Sequence, residues 1–250
     1  MATVPGPPDD ATGAETGGAI LPEDPVDAPE ARGITLELVR DHPELSSFIA
    51  AADRVMEGLG YTEHGFRHAN LTAQIAYQVL ARLDFDEEQA VRGCVAAYLH
   101  DVGNMISREM HGQTGAVLVY EALRDQVSPQ DLTTIVAAVA NHEEPEGSRI
   151  SIESAAVILA DKSDVHRSRV RKSGRPEFDI HDRVNYAAEQ SFLRVDSGAR
   201  TITLELTIDT QISQVMEYFE IFLGRMQMCR LAAEKLGCSF KLTINKAELA

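Results

Sequence analysis

Eight histidines occur in this chain (His42, His64, His68, His100, His111, His142, His166 and His181), and several adjoin apolar runs. His68 lies early in FRHANLTAQIAYQVLARL, and His100-Asp101 closes the run VRGCVAAYL. His111 opens the next apolar segment, His142 ends TTIVAAVAN, and Asp161 sits inside AAVILADKSD. Ionisable groups on apolar faces are costly to bury unless they are paired or bound to a metal. One shared metal site accounts for all five segments together, where a cap, a solvated turn or a polar helix edge would have to be invoked for each separately. Imidazole and carboxylate suit first-row ions such as iron, manganese, cobalt, nickel or zinc. A carboxylate has two oxygens and can bridge two ions. Such a pair, about 3.5–4 Å apart, can activate water and clamp a phosphoryl group for in-line attack.

Donors this far apart in sequence need a scaffold that gathers them. From about residue 35 to 190 the pattern is helical. Helices are expected at 43–59, 66–83, 87–101, 111–126, 129–141, 151–167 and 180–189. Pro43 and Pro129 sit at helix starts, and Leu71, Ile75, Val79 and Leu83 recur at near-helical spacing. The last sixty residues change character. SFLRVDSGARTITLELTID reads as a hairpin around Asp196-Ser197-Gly198, with Ile202, Leu204, Leu206 and Ile208 alternating. A long helix over 211–236 follows, ending at Gly237, and then a strand over 239–245. The expected fold class is mainly α with a small C-terminal α+β appendage. The expected divisions are an acidic tail over 1–33, a helical domain over 34–190 and a ββαβ unit over 191–250.

The ordered set His68, His100-Asp101, His111, His142 and Asp161 resembles the HD-domain superfamily of metal-dependent phosphohydrolases. LHDVGN (99–104) is similar to the signature turn of that superfamily, HGQTG (111–115) to the start of its next helix and LADKSD (159–164) to its last ligand helix. The resemblance spans roughly residues 60–170. It implies an HD-domain helical bundle in which His68, His100, Asp101 and Asp161 hold one ion. Asp101 would bridge to a second ion held by His111 and His142. The cofactors implied are two divalent transition-metal ions, iron or manganese foremost, with zinc, nickel or cobalt as alternatives. Some dinuclear members carry adjacent histidines at the late position, where this chain has Asn141-His142.

The expected activity is hydrolysis of a phosphate ester, in a nucleotide or another small phosphorylated metabolite, by a hydroxide held between the ions. Asp101 and Lys162 are the candidate catalytic residues, Lys162 being the cation nearest Asp161 in sequence. Arg67, Asn104 and Arg108 are candidate phosphate contacts. The acid-free stretch 166–175 adds Arg167, Arg169 and Arg171, beside Lys172 and Arg175. It reads as a solvated loop, as partners for the acidic tail, or as an anion-binding rim, since guanidinium forks match phosphate oxygens. His64 is expected either at the surface or facing substrate. His181-Asp182 is expected in a structural or interface role. Mixed-valent di-iron oxygenases use a similar ligand set, which makes oxygen activation the second enzymatic reading. A nucleotide-binding regulatory module is the third.

Lys and Arg number 23 against 39 Asp and Glu, a net charge of −16, of which the first 33 residues carry −6. This balance argues against general nucleic-acid binding, which needs cations at phosphates. No stretch approaches the roughly 18–20 apolar residues of a membrane helix, and no basic region followed by an apolar run opens the chain. Cys94, Cys229 and Cys238 form no CxxC pair, against a disulfide framework or thiolate zinc site and in keeping with a cytoplasmic setting. The helix over 211–236 is apolar nearly all round, including Met216, Phe219, Phe222, Leu223 and Met226. It calls for burial on several sides, from which a homodimer is expected.

Overall fold

The computed structural model describes residues 33–143, 150–171 and 180–249. All of the acidic tail except Gly33 lies outside them, as do Lys172 and Arg175 of the basic stretch. The described residues are mainly helical. In chain order the helices are α1 (Leu36–Arg40), α2 (Pro43–Gly58), α3 (Phe66–Arg82), α4 (Glu87–Leu99), α5 (His111–Leu123), α6 (Pro129–Ala140), α7 (Ile152–Ser163), α8 (Ile180–Ala187) and α9 (Val215–Lys235). Short 3-10 turns fill Val102–Met105 and Arg167–Arg169. The starts follow cap chemistry that satisfies orphan N–H groups. Asp86 and Gln89 form a capping box on α4, and Ser151 and Ser154 form one on α7. Ser128 caps α6, with Pro129 at its first position.

α4 and α7 form the centre of the bundle. Val95, Ala96, Leu99, Ala155, Val157, Ile158 and Leu159 are essentially inaccessible, and both helices pack against α3. Small residues predominate on them, which lets the backbones approach closely. A buried arginine ties this centre together. Arg92 of α4 reaches Glu153 of α7 at 3.3 Å and Asp131 of α6 at 3.2 Å.

A four-stranded sheet follows, in the order β1-β2-β3-β4, formed by β1 (Ala188–Asp196), β2 (Thr201–Ile208), β3 (Ser239–Ile244) and β4 (Ala247–Glu248). β1 and β2 make the antiparallel hairpin, whereas β3 runs parallel to β2. A parallel neighbour needs a crossover, and α9 supplies it. Ile202, Leu204, Leu206 and Ile208 point inward and share one hydrophobic core with the bundle. α9 lies on α7. Tyr218, Phe222, Met226 and Cys229 of α9 are buried within the chain, while Met216 (66%) and Leu223 (52%) remain exposed.

Several boundaries depart from the sequence pattern. α4 stops at Leu99 and α7 at Ser163, earlier than the apolar periodicity suggests. After α4 the chain aims His100-Asp101 at the Nε2 side of His68, and after α7 Asp164 meets the Nδ1 side of the same ring. β1 begins at Ala188, directly after α8, because buried Ala187 and Ala188 fit a helix or a strand equally well.

Candidate metal centre

α3, the end of α4, the start of α5, the end of α6 and α7 each deliver one part of a buried cluster. His68, His100, His111 and His142 are all at most 1% exposed. Their Nε2 atoms meet in pairs, His68 to His100 at 3.2 Å and His111 to His142 at 3.0 Å. Asp101 lies between the pairs. Its Oδ2 is 3.5 Å from His68 Nε2 and 3.3 Å from His100 Nε2, and its Oδ1 is 3.4 Å from His111 Nε2. Asp161 Oδ1 closes the first pair, 3.5 Å from His68 Nε2 and 3.7 Å from His100 Nε2.

The other ring nitrogen of every histidine faces an acceptor. Nδ1 of His100 meets Ala97 O at 2.7 Å, His142 meets Val139 O at 2.7 Å and His111 meets Arg108 O at 3.0 Å. His68 Nδ1 meets Asp164 Oδ2, also at 2.7 Å. These partners place the proton on Nδ1 and leave a lone pair on each Nε2. Two lone pairs facing one another at such separations repel unless a cation or a proton lies between them. Asp101 Oδ2 is buried with no hydrogen-bond partner. Donor set, tautomers and orphaned oxygen therefore fit divalent ions of the first transition row. Among the described residues three groups have ligand atoms within 4.8 Å of one another: His68-His100-Asp101, His100-His142-Asp161 and Asp101-His111-His142.

The electrostatics point the same way. Burial, reinforced by the charges of His100 and His111, pushes His142 down to about 3, which keeps it neutral. Burial would lower His100 too, but Asp101 and Asp161 outweigh it and lift it to about 10. The two carboxylates thus demand positive charge at the point they share. Burial opposes ionisation of Asp101 and Asp161, yet His100 beside Asp101, and Lys162 with His100 and His68 beside Asp161, hold both well below the usual carboxylate range.

Local backbone makes this convergence possible. In the turn after His100-Asp101, a Cβ on Gly103 would overlap the His111 carbonyl oxygen and Gly115 N. Glycine lets the turn lie directly on the first turn of α5. Met110, just before His111, takes a left-handed conformation (φ 56°), a locally strained geometry at the point where α5 is aimed.

The other candidate residues divide. Lys162 is buried and donates to Asp161 Oδ2 at 2.8 Å. Asn104 donates to Asp101 Oδ1 at 2.8 Å and so orients that carboxylate rather than facing open space. Arg108 Nη1 lies 3.0 and 3.1 Å from the His111 ring nitrogens, and its Nη2 pairs with Glu143 at 3.3 Å. Among the described residues the expected arginines do not form an open rim. Arg167 pairs with Glu189 at 3.0 Å, and Arg171 pairs with Asp53 at 2.6 Å. Arg169 is buried and donates to the Asp164 and Glu63 carbonyl oxygens. Arg67 pairs with Glu63 and Asp164, both at 2.8 Å. These forks are taken up by acceptors from distant segments, and the spacing of the arginines could not show that.

Two acids escaped the sequence reading. Asp164 receives His68 Nδ1–H, Arg67 and Arg169, and with burial opposing, these cations hold it far below the usual range. Glu143 Oε2 stands 2.9 Å from His111 Nε2 and 3.8 Å from His142 Nε2. Burial opposes its charge too, but His111, Lys162 and His142 depress it strongly.

A pocket of about 390 Å³ includes His64, Arg108, Arg169, Asn185, Phe222 and Arg225 in its lining. It adjoins the cluster, since the His64 ring lies 5.6 Å from that of His68. His181 and Asp182 of α8 also line it. A larger groove of about 470 Å³ between α3 and β1 reaches Asp164 but none of the converging ligand atoms.

The helical bundle gathers four imidazoles and two aspartates around one buried point, a donor set able to hold metal ions. Residues 63–165 match the HD domain family, whose members are metal-dependent phosphohydrolases. Among curated proteins the chain is similar to an uncharacterized protein, MJ1020, of Methanocaldococcus jannaschii. That relative is 25% identical over 207 residues, covering 72% of this chain and 79% of the relative. No solved structure matches the chain. Among the described residues no helix is long and apolar enough to cross a membrane.

Proposed function

We propose that this protein is a metal-dependent phosphohydrolase that cleaves the phosphate ester of a small phosphorylated molecule, using two divalent ions. The observation that carries the reading is the central carboxylate. Asp101 turns one oxygen toward His68 and His100 and the other toward His111, with Oδ2 left without a hydrogen-bond partner. On this reading His68, His100, Asp101 and Asp161 hold one ion, and Asp101, His111 and His142 hold the other. Bound ions of this kind lower the pKa of water toward neutrality and stabilise charge on a transferring phosphoryl group.

The protein's own groups do the rest. Asp164 fixes the tautomer and tilt of His68, and Asn104 fixes Asp101. Lys162 balances Asp161 and keeps a positive charge beside the reacting group, where growing anionic charge is stabilised. Glu143 lies against His111 and His142, 2.9 and 3.8 Å from their Nε2 atoms, and adds a carboxylate beside the second proposed ion position. The buried walls limit bulk water, which strengthens each of these interactions.

The test is an assay of protein loaded with manganese or ferrous iron against phosphomonoesters, nucleotides and cyclic dinucleotides, with oxygen uptake followed in parallel. Phosphate release that disappears in Asp101→Asn supports the proposal. Stoichiometric metal with no turnover of any ester, or substrate-dependent oxygen consumption, counts against it.

A further inference from the structure

The proposed reaction needs a cation to receive the phosphate, and the expected arginines are largely occupied. Arg169 is spent on Asp164 and Glu63, and Arg108 on Glu143 and Asn104. Arg225 of α9 differs from both. It is half-buried, lies against the Phe222 ring at 4.6 Å, and lines the 390 Å³ pocket. No carboxylate pairs with it among the described residues. It shares that pocket with His64, whose ring lies 5.6 Å from that of His68, and with Arg108, which reaches His111. Arg225 is held partly buried in the pocket wall, where a guanidinium fork can match phosphate oxygens.

We propose that Arg225, contributed by the C-terminal α+β unit, is the substrate-binding residue that grips the phosphate of a small, polar phosphomonoester. This rests on the hydrolase reading. The substrate class follows from the walls. The volume is at the lower end of ligand pockets, which run from about 300 to 1,000 Å³. Thr62, His64, Asp182 and Asn185 supply hydrogen-bonding groups, while Phe222 offers an aromatic face. Such a space suits a sugar- or nucleoside-sized leaving group and disfavours a polymer or an acyl chain. The guanidinium fork donates to two phosphate oxygens. Because α9 is outside the matched HD segment, the C-terminal unit sets the specificity while the bundle supplies the chemistry.

The experiment uses manganese-loaded full-length protein and inorganic phosphate as the probe, read by calorimetry. Arg225→Ala should weaken phosphate binding by about 10- to 100-fold, the loss of one charge-assisted fork, with manganese content and melting temperature unchanged. Millimolar guanidinium should restore part of that loss, and Arg225→Lys should recover less than half of it on a logarithmic scale. In turnover the variants should raise KM more than they lower kcat, and sugar or nucleoside monophosphates should be preferred to acyl phosphates. Wild-type binding matched by Arg225→Ala overturns the role of Arg225 and leaves the hydrolase reading standing. A wild type that holds manganese but no phosphate overturns both. Preference for long apolar esters overturns the assigned substrate class.

Discussion

Asp164 shows how far a functional side chain can act from the reacting atoms. It touches none of the proposed ion positions, yet it fixes His68 by accepting Nδ1–H at 2.7 Å, and it is itself held by Arg67 and Arg169. Partners of this kind typically change metal affinity by about 10- to 100-fold when removed. Asp164→Asn keeps the shape and loses the charge, so manganese should bind that much more weakly while helical circular dichroism is preserved. Competition with a chromogenic chelator measures it. The six proposed ligands were legible in the sequence because each interrupts or ends an apolar run. Asp164 and Glu143 were not, because both sit in polar, acid-containing stretches that read as solvated surface. Arg225 was hidden for a related reason. Along α9 a pocket-facing arginine and a solvent-facing one have the same spacing.

At the scale of elements, the junction of α8 and α9 depends on one acid. Glu217 accepts from Arg183 at 2.6 Å, from Ser213 Oγ at 2.6 Å and from Gln214 N at 3.1 Å, joining the first turn of α9 to α8. The Arg183 hydrogen bond first, and Ser213 next, lower Glu217 from 4.5 to about 2. A depressed folded-state value means that this stabilisation is present above the unfolded value and fades as pH falls toward 2. Wild type should therefore lose stability more steeply than Glu217→Gln on acidification below about pH 4.5, and the two curves should converge near pH 2. Urea midpoints across that range test it. Most helix starts could be read in advance, since Pro43, Asp86, Ser128, Pro129 and Ser151 announce them chemically. Ends were less legible. No glycine or proline stops α4 after Leu99, because tertiary demand for His100 and Asp101 ends it. The parallel pairing of β2 with β3 is equally silent in a strand pattern, which encodes faces but not neighbours.

Across the whole molecule, bundle and sheet share one core, and α9 covers α7 while lining the pocket. The apolar girth of α9 reads the same in sequence whether its own chain or another copy covers it. Here Tyr218, Phe222, Met226 and Cys229 are covered from within, and light scattering will show whether Met216 and Leu223 meet a second subunit. Ions bound only by the folded state stabilise it by mass action, about 2.7 kcal/mol at a hundredfold excess over the dissociation constant. For a protein of this size that corresponds to roughly 5–10 °C in melting temperature. Calorimetric scans with and without chelator should show the difference, and Asp101→Asn should abolish it.

The proposed ligands run from His68 to Asp161 and come from separate helices, so no fragment of the bundle holds a complete coordination sphere. Retained ion is thus a gauge of structural integrity for the entire scaffold. A lesion far from the centre that loosens any contributing helix should register as faster leaching of manganese before it registers as aggregation. Metal content can then rank damaged or redesigned versions of this chain without any knowledge of what they hydrolyse.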